Sequence, residues 1–382
     1  MECPHIPSID YARFGERLHE QAVEKRIPIN GTFELTFRCN LRCVHCYCNL
    51  PTNDRAAIEK ELTTEEIFDV LDQIAEAGCL WLLLTGGEPL VRKDFLEIYT
   101  YAKKKGFLIN LFTNGTLLTP KVADYLAEWP PFEVEITLYG VTKETYEKIT
   151  GIPGSFQRCK RGIGLLLERK VPIGLKTMAM TLNHDEIHQI KEFAEDLGVK
   201  FRFDPVLNPR LDGSKAPCNF RLSPEEVVEL DLADEKRIKE WQKFRKKFEG
   251  LPHPDSLFNC GAGILSFHID PYGQLSACEM CRFQNYNLGG GSFEEGWGEY
   301  LPESLVIKPK GYYPCGQCEL IELCGQCPGW AWLENGDLES PVEYLCQIAH
   351  LRAEAFHINK FLKNKERDEW SKKSESITKS QM

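Results

Sequence analysis

Three cysteines fall within eight residues, Cys39-Asn40-Leu41-Arg42-Cys43-Val44-His45-Cys46, in the spacing C-x3-C-x2-C. Three thiolates on one short loop can each bind one iron of a cubane cluster. A fourth Cys would ordinarily complete such a site, and none occurs at a matching spacing. One iron is then left open to a ligand that is not protein. The competing reading is structural zinc, which wants four ligands. His45 would supply the fourth only in an awkward geometry beside Cys46. A second stretch bears on the choice. Trp81-Leu82-Leu83-Leu84-Thr85 reads as a buried strand, and Gly86-Gly87-Glu88-Pro89 stands at its end. Two glycines let a ligand approach the backbone closely, and the Glu88 carboxylate is expected to face it.

The elements that must position these residues come in a regular order. Thr32–Arg38 alternates apolar and polar residues and is rich in Phe and Thr, which reads as a strand leading into the cysteines. Helices are expected at 64–77, 95–105, 120–128, 157–170 and 186–197, with a broken helical region around Gly151 and Gly154. Strands are expected at 81–85, 107–112, 133–138, 173–180 and 199–204. Thr63 with Glu66 forms a capping box and Gly78 ends that helix; Asp94 is expected to cap the next, which Gly106 terminates. Six β–α units imply an α/β fold with parallel strands and helices outside, a partial barrel with ligands at the strand C-terminal ends. Tyr11 to Lys25 reads as a helix without chemistry. Pro205, Pro209 and Pro217 break regular structure, and Glu225–Phe248 reads as one charge-rich helical connector.

The chain has 382 residues with 42% hydrophobic and 27% charged residues, ordinary for a globular protein of two or three domains. Its net charge of −11 argues against nucleic acid and anionic membrane as main partners. No basic start leading into an apolar run marks a signal peptide, and no stretch is apolar enough to span a membrane. The expectation is a cytoplasmic protein, in which sixteen clustered cysteines read as metal binding rather than disulfides. From Cys260 onward Gly, Pro and short loops dominate, and Cys260, Cys278, Cys281, Cys315, Cys318, Cys324, Cys327 and Cys346 fall there. Such a segment cannot build a large core and would use metal to hold itself together. Paired C-x2-C motifs are also zinc-ribbon spacing, so the metal stays open on spacing alone. Cys3 reads as a plain thiol, Cys48 as isolated, and Cys79 and Cys159 as buried small side chains. The expected organisation is a lead-in over 1–31, a barrel over 32–204, a helical connector over 205–255, a cysteine-rich domain over 256–355 and a polar, disordered tail over 356–382.

With C-x3-C-x2-C after the first strand and G-G-E-P after the second, the chain resembles the radical S-adenosylmethionine (SAM) superfamily. The resemblance implies that Cys39, Cys43 and Cys46 hold a [4Fe–4S] cluster whose open iron is chelated by SAM, and that the core is a (β/α)6 partial TIM-like barrel. His45 stands where the superfamily usually has an aromatic touching adenine. Thr137 and Tyr139 match positions that face the ribose, although many relatives carry Ser and Asp there. Thr113 and Asn114, at the end of the third strand, are expected to line the pocket. The C-terminal pattern, Cys260-x12-Gly273-x4-Cys278, Cys315-x2-Cys318-x5-Cys324-x2-Cys327 and Cys346, resembles the SPASM domain, which holds two auxiliary [4Fe–4S] clusters. It departs once, with x2 rather than x3 before Cys327. The resemblance assigns Cys315, Cys318, Cys324 and Cys346 to the second auxiliary cluster and Cys260, Cys278 and Cys327 to the first, with Cys281, Cys218 or no residue as its fourth ligand.

The same resemblance implies an enzyme that reductively cleaves SAM to a 5′-deoxyadenosyl radical, which abstracts hydrogen from a peptide or protein. A flavodoxin- or ferredoxin-type donor would supply the electron. The alternative is a small-molecule enzyme of cofactor or tetrapyrrole biosynthesis. Glu279 comes directly after Cys278, where anaerobic sulfatase maturases carry an Asp proposed to take a substrate proton, and is expected to be a general base.

Overall fold

The computed structural model describes residues 11–48, 50–248, 256–258 and 260–356. The expectations for Cys3 and for the tail beyond Phe361 lie outside these residues. The strands are β1 (Asn30–Thr36), β2 (Arg38–Cys39), β3 (Leu50–Pro51), β4 (Trp81–Gly86), β5 (Leu108–Thr113), β6 (Glu133–Thr137), β7 (Ile173–Met178), β8 (Lys200–Asp204), β9 (Ser266–Ile269), β10 (Gln274–Ser276) and β11 (Tyr286–Asn287). The helices through the connector are α1 (Tyr11–Lys25), α2 (Arg55–Lys60), α3 (Thr64–Glu76), α4 (Phe95–Lys104), α5 (Pro120–Glu128), α6 (Lys143–Thr150), α7 (Ser155–Glu168), α8 (Ile187–Asp196), α9 (Pro224–Leu232) and α10 (Glu235–Phe248). The C-terminal part adds α11 (Phe293–Glu295), α12 (Leu301–Leu305), α13 (Pro328–Asn335) and α14 (Glu343–Ala355).

Parallel neighbours need crossovers, and helices supply them between β4, β5, β6, β7 and β8. The sheet order is β11-β10-β9-β1-β4-β5-β6-β7-β8, so β8 and β11 are its two ends and the barrel stays open between them. All pairs from β1 through β8 are parallel. One face of each strand packs on helices: Phe33, Leu35, Leu84, Leu111, Ile136 and Leu175 bury against Leu71, Ile98, Tyr146 and Ile163. The other face is polar where β6 to β8 adjoin. Lys176 lies 3.7 Å from Glu135 and stands over the Phe112 ring, and Arg202 pairs with Glu135 at 2.5 Å. A closed TIM barrel fills its interior with branched apolar side chains; here the lumen is lined by charge.

The sheet also reaches beyond the six-unit core. β9 pairs parallel to β1, Asn30 opposite Ser266, and β10 and β11 continue it antiparallel. Phe267, Ile269, Leu275, Phe293 and Trp297 from this region join the main core. The cysteine-rich region therefore does not depend on metal alone, because it shares the barrel's core. Nothing in the C-terminal sequence announced this, since strands of four, three and two residues carry little periodicity.

Two local expectations are corrected. The Thr63–Glu66 capping box forms at α3, but Asp94 makes no cap at α4. Its carboxylate is taken instead by Arg92, at 3.0 and 2.6 Å, and by the Thr64 hydroxyl at 2.7 Å. The connector is two helices rather than one, with the chain turning at Ala233.

Asp231 ties three segments together. Fully buried on α9, it accepts from Arg237 of α10 at 3.0 and 2.6 Å and from Arg352 of α14 at 2.8 Å. Arg237 also donates to Phe203 O of β8 and Arg352 to Leu323 O beside Cys324. Removing one partner of a buried ion pair leaves uncompensated charge. Asp231→Ala should therefore destabilise the protein by about 3–5 kcal/mol in urea unfolding, and an effect below about 1 kcal/mol would show that the brace is solvated.

Candidate active site

The loop from Cys39 to Cys46 is held from both sides. Arg42 N donates to Thr150 O at 2.8 Å and Val44 N to Ile149 O at 3.0 Å, pinning the loop to the end of α6. On the other side Asn114 Nδ2 reaches Asn40 Oδ1 at 3.0 Å and Cys39 Sγ at 3.7 Å, and Leu41 N donates to Cys39 Sγ at 3.4 Å. Arg210 donates to Cys46 O and Cys48 O at 3.1 and 3.2 Å. Cys46 lies close enough to Cys39 and Cys43 to raise the pKa of both, and Cys39 raises that of Cys43. Burial is the larger cause: it pushes Cys39 up to about 12 and raises Cys43 strongly.

Gly86-Gly87-Glu88-Pro89 closes tightly on the chain's own backbone. Gly86 has φ +126°, and a Cβ there would lie 2.2 Å from Thr36 O; one on Gly87 would lie 2.5 Å from Arg38 O. The glycines thus admit the chain's own backbone, with Gly87 N donating to Thr36 O at 2.7 Å and Glu88 N to Arg38 O at 3.0 Å. Glu88 does not face open space. It is fully buried and accepts from Thr113 Oγ1 at 2.8 and 2.9 Å, Asn114 N at 2.8 Å and Leu90 N at 3.1 Å. Burial outweighs these bonds and raises its pKa to about 7. Buried Pro89 opens a single turn. The four residues fasten the ends of β1, β4 and β5 beneath the cysteine loop.

His45 is half-buried with its Nδ1 buried and unpaired, and its ring meets Tyr139 edge-on at 4.9 Å. Burial lowers its pKa to about 4, so it is neutral. Tyr139 is itself buried and hydrogen-bonds Cys43. Thr137 ends β6 at the same rim, and its carbonyl accepts from buried Cys159. Cys79 and Cys159 are buried, as their isolation implied. Cys48, also read as isolated, is buried with its sulfur 4.0 Å from Cys46 Sγ.

The C-terminal cysteines gather in two groups. Cys281 is hydrogen-bonded to Cys278 and electrostatically coupled to Cys327 and Cys260. Cys315 is coupled to Cys346 and Cys318, and Cys324 to Cys346 and Cys318. The short spacing before Cys327 does not move it to the second group, because Pro328 starts α13 at once and Cys327 stays at its N-terminal end. Cys218 stands apart, beside Arg221, Glu334 and Lys215. Among the described residues no three Cys, His, Asp or Glu side chains converge on a single ion.

Glu279 extends from the Cys278 loop toward Glu34, His268, Arg282 and Lys176, and burial raises its pKa. Glu34, on β1, would also be raised by burial, but His268, Arg282 and Tyr47 hold it down to about 2. The lumen therefore pairs a carboxyl group that readily holds a proton with one that does not.

Residues 33–197 match the radical SAM superfamily. Those residues form a radical SAM domain. Over 340 residues it is 28% identical to an AdoMet-dependent heme synthase of Methanosarcina barkeri, covering 80% of this chain and 92% of the relative. Over 330 residues it is 28% identical to the mycofactocin maturase MftC of Mycobacterium tuberculosis, covering 82% of each. The fold is similar to that of Streptococcus suis SuiB bound to its precursor peptide SuiA, with TM-score 0.67 at 15% identity over 91% of this chain and 84% of that one.

This radical SAM enzyme has a SPASM-type C-terminal region and uses a [4Fe–4S] cluster and SAM. The residues present fit both. Buried thiols with raised pKa ionise only against a strong local positive charge, which iron provides. The unpaired His45 Nδ1 can hydrogen-bond a nucleoside, whereas the side chains of Thr113 and Asn114 are taken by Glu88, Asn40 and Thr116. No helix among the described residues is long and apolar enough to cross a membrane.

The cysteine groups give a direct test. Anaerobically purified enzyme should hold about twelve irons if three cubanes form. Cys281→Ser should lose iron from the first auxiliary group, whereas Cys218→Ser should keep the full complement. Replacing Cys39, Cys43 and Cys46 together by Ala should abolish reductive SAM cleavage and leave most of the brown colour. Stoichiometric zinc with little iron would contradict the assignment.

Proposed function

We propose that this enzyme modifies a peptide or protein, abstracting hydrogen from an unactivated carbon held in the lumen. The observation that carries the reading is the lumen itself. The sheet is open between β8 and β11, and its inner face carries Glu135, Lys176 and Arg202 opposite the loop of Glu279. An open-sided, charge-lined chamber admits a polypeptide segment and solvates its amides. The maturase similarity supports the same class. When bound, SAM and its reduced cluster supply a 5′-deoxyadenosyl radical; the chain supplies position, exclusion of water and a proton acceptor.

In this reading Cys39, Cys43 and Cys46 hold the radical cluster. Cys260, Cys278, Cys281 and Cys327 hold the first auxiliary cluster, and Cys315, Cys318, Cys324 and Cys346 the second. With Cys281 as fourth ligand, the first auxiliary site is closed to substrate. His45, Tyr139 and Thr137 form the nucleoside wall. Glu279 takes the substrate proton, its carboxylate made more basic by burial. A flavodoxin- or ferredoxin-type donor and a cytoplasmic setting complete the proposal. The second reading, tetrapyrrole chemistry, is favoured by the similarity to the heme synthase over 92% of that protein's length. Incubation with SAM, reductant and either candidate precursor peptides or iron porphyrins separates them, since only the true substrate raises 5′-deoxyadenosine above the uncoupled rate.

Loss of a general base typically lowers the rate about a hundredfold to ten-thousandfold. Glu279→Gln should therefore retain iron and uncoupled SAM cleavage while product formation falls by about that factor. Deuterium passing from substrate into 5′-deoxyadenosine would show that abstraction still occurs. Unchanged product yield would reduce Glu279 to a bystander of the cysteine loop.

A further inference from the structure

Tyr47 is the residue after Cys46, and Arg282 is the residue after Cys281. The two belong to loops of different cysteine groups, yet both side chains end on the same carboxylate. Tyr47 Oη donates to Glu34 Oε1 at 2.6 Å, and Arg282 Nη2 donates to Glu34 Oε2 at 2.6 Å. His268 Nε2 lies 3.1 Å from that second oxygen, and its Nδ1 lies 3.3 Å from Ser276 Oγ. Arg282 does more than neutralise Glu34. Its Nε donates to the main-chain carbonyl of Glu279 at 2.9 Å, its Nη1 lies 3.6 Å from Asp270, and its plane sits 5.1 Å from the centre of the Phe37 ring. Glu34 is 1% exposed, so water does not compete for these bonds.

A carboxylate of this kind on β1 is ordinarily just an ion pair that the fold tolerates. The partners here make it more specific. One oxygen is bound by the radical-cluster loop and the other by the auxiliary loop. A planar guanidinium forks between that oxygen and the Glu279 backbone. We propose that Glu34 is a positioning residue for the reaction, locking the Cys39–Cys46 loop and the Cys278–Arg282 loop into one register that Arg282 passes on to Glu279. The role assigned to Glu279 rests on the function proposed above; the coupling of the two loops does not.

Coupling of this kind is reciprocal: loosening either loop must be felt at the other. Hydrogen exchange by mass spectrometry on the anaerobically reconstituted full-length enzyme reads it without any substrate. Tyr47→Phe alters only the first loop and Arg282→Lys only the second. Loss of one charge-assisted bond should raise exchange across the bridge roughly tenfold. Tyr47→Phe is expected to do so in residues 276–284, Arg282→Lys in residues 40–48, and Glu34→Gln in both. If each of the first two variants loosens only its own loop, the proposal is overturned, and these two decide the matter even if Glu34→Gln does not fold. Glu279→Gln separates the readings, since it should leave exchange in residues 40–48 at the wild-type rate. Full product yield in that variant, with the coupling intact, would reject Glu279 as the base and leave Glu34 as the link.

Discussion

The close passage of two backbones at the strand ends is the constraint on which the site depends. Gly86 and Gly87 lie flat against Thr36 to Arg38, at distances that leave no room for a Cβ. The fully buried Glu88 then reaches across to Thr113 and Asn114. The result is a floor of paired main chain under the cysteine loop. Asn114 reaches from it to Asn40 and to the Cys39 sulfur, so the loop inherits the rigidity of the sheet. A site on regular elements holds its geometry better than one on a free loop.

Burial is the second theme. Thiols, carboxyl groups and a lysine sit where water is scarce, and each is shifted toward its neutral form unless a partner compensates it. Cys39, Cys43 and Glu279 are shifted in that way, and Lys176 is lowered well below the usual lysine range. Glu34 is the exception, because three partners converge on it. The lumen is therefore an environment prepared for charge that arrives with cofactor and substrate.

The C-terminal region is not a separate body beside the barrel. β9 extends the sheet from β1, and Asp231 with its two arginines binds β8, the connector and α14. The Cys278 loop follows β10 of that sheet and Cys346 sits on α14, so both cysteine groups hold fixed positions relative to the barrel. That is what electron transfer or substrate handover between them would require.

The sequence by itself determined the architecture of residues 30–204 almost element for element. Period-two strands, amphipathic helices and caps such as Thr63–Glu66 are local signals, and each unit repeats them. The cysteine spacing and G-G-E-P carried the chemistry for the same reason: ligands on one loop are encoded side by side. Tertiary structure decided what lies between distant segments. That Glu88 turns inward to Thr113, that Asp94 serves Thr64 rather than a helix end, and that Cys281 rather than Cys218 lies beside Cys260 and Cys327 all depend on contacts between residues far apart in the chain. So does the meeting of Tyr47 and Arg282 on Glu34, because a single Glu in a strand looks like any polar residue of alternating pattern. Spacing reveals partners within a loop, whereas a partner brought in by the fold leaves no period to read.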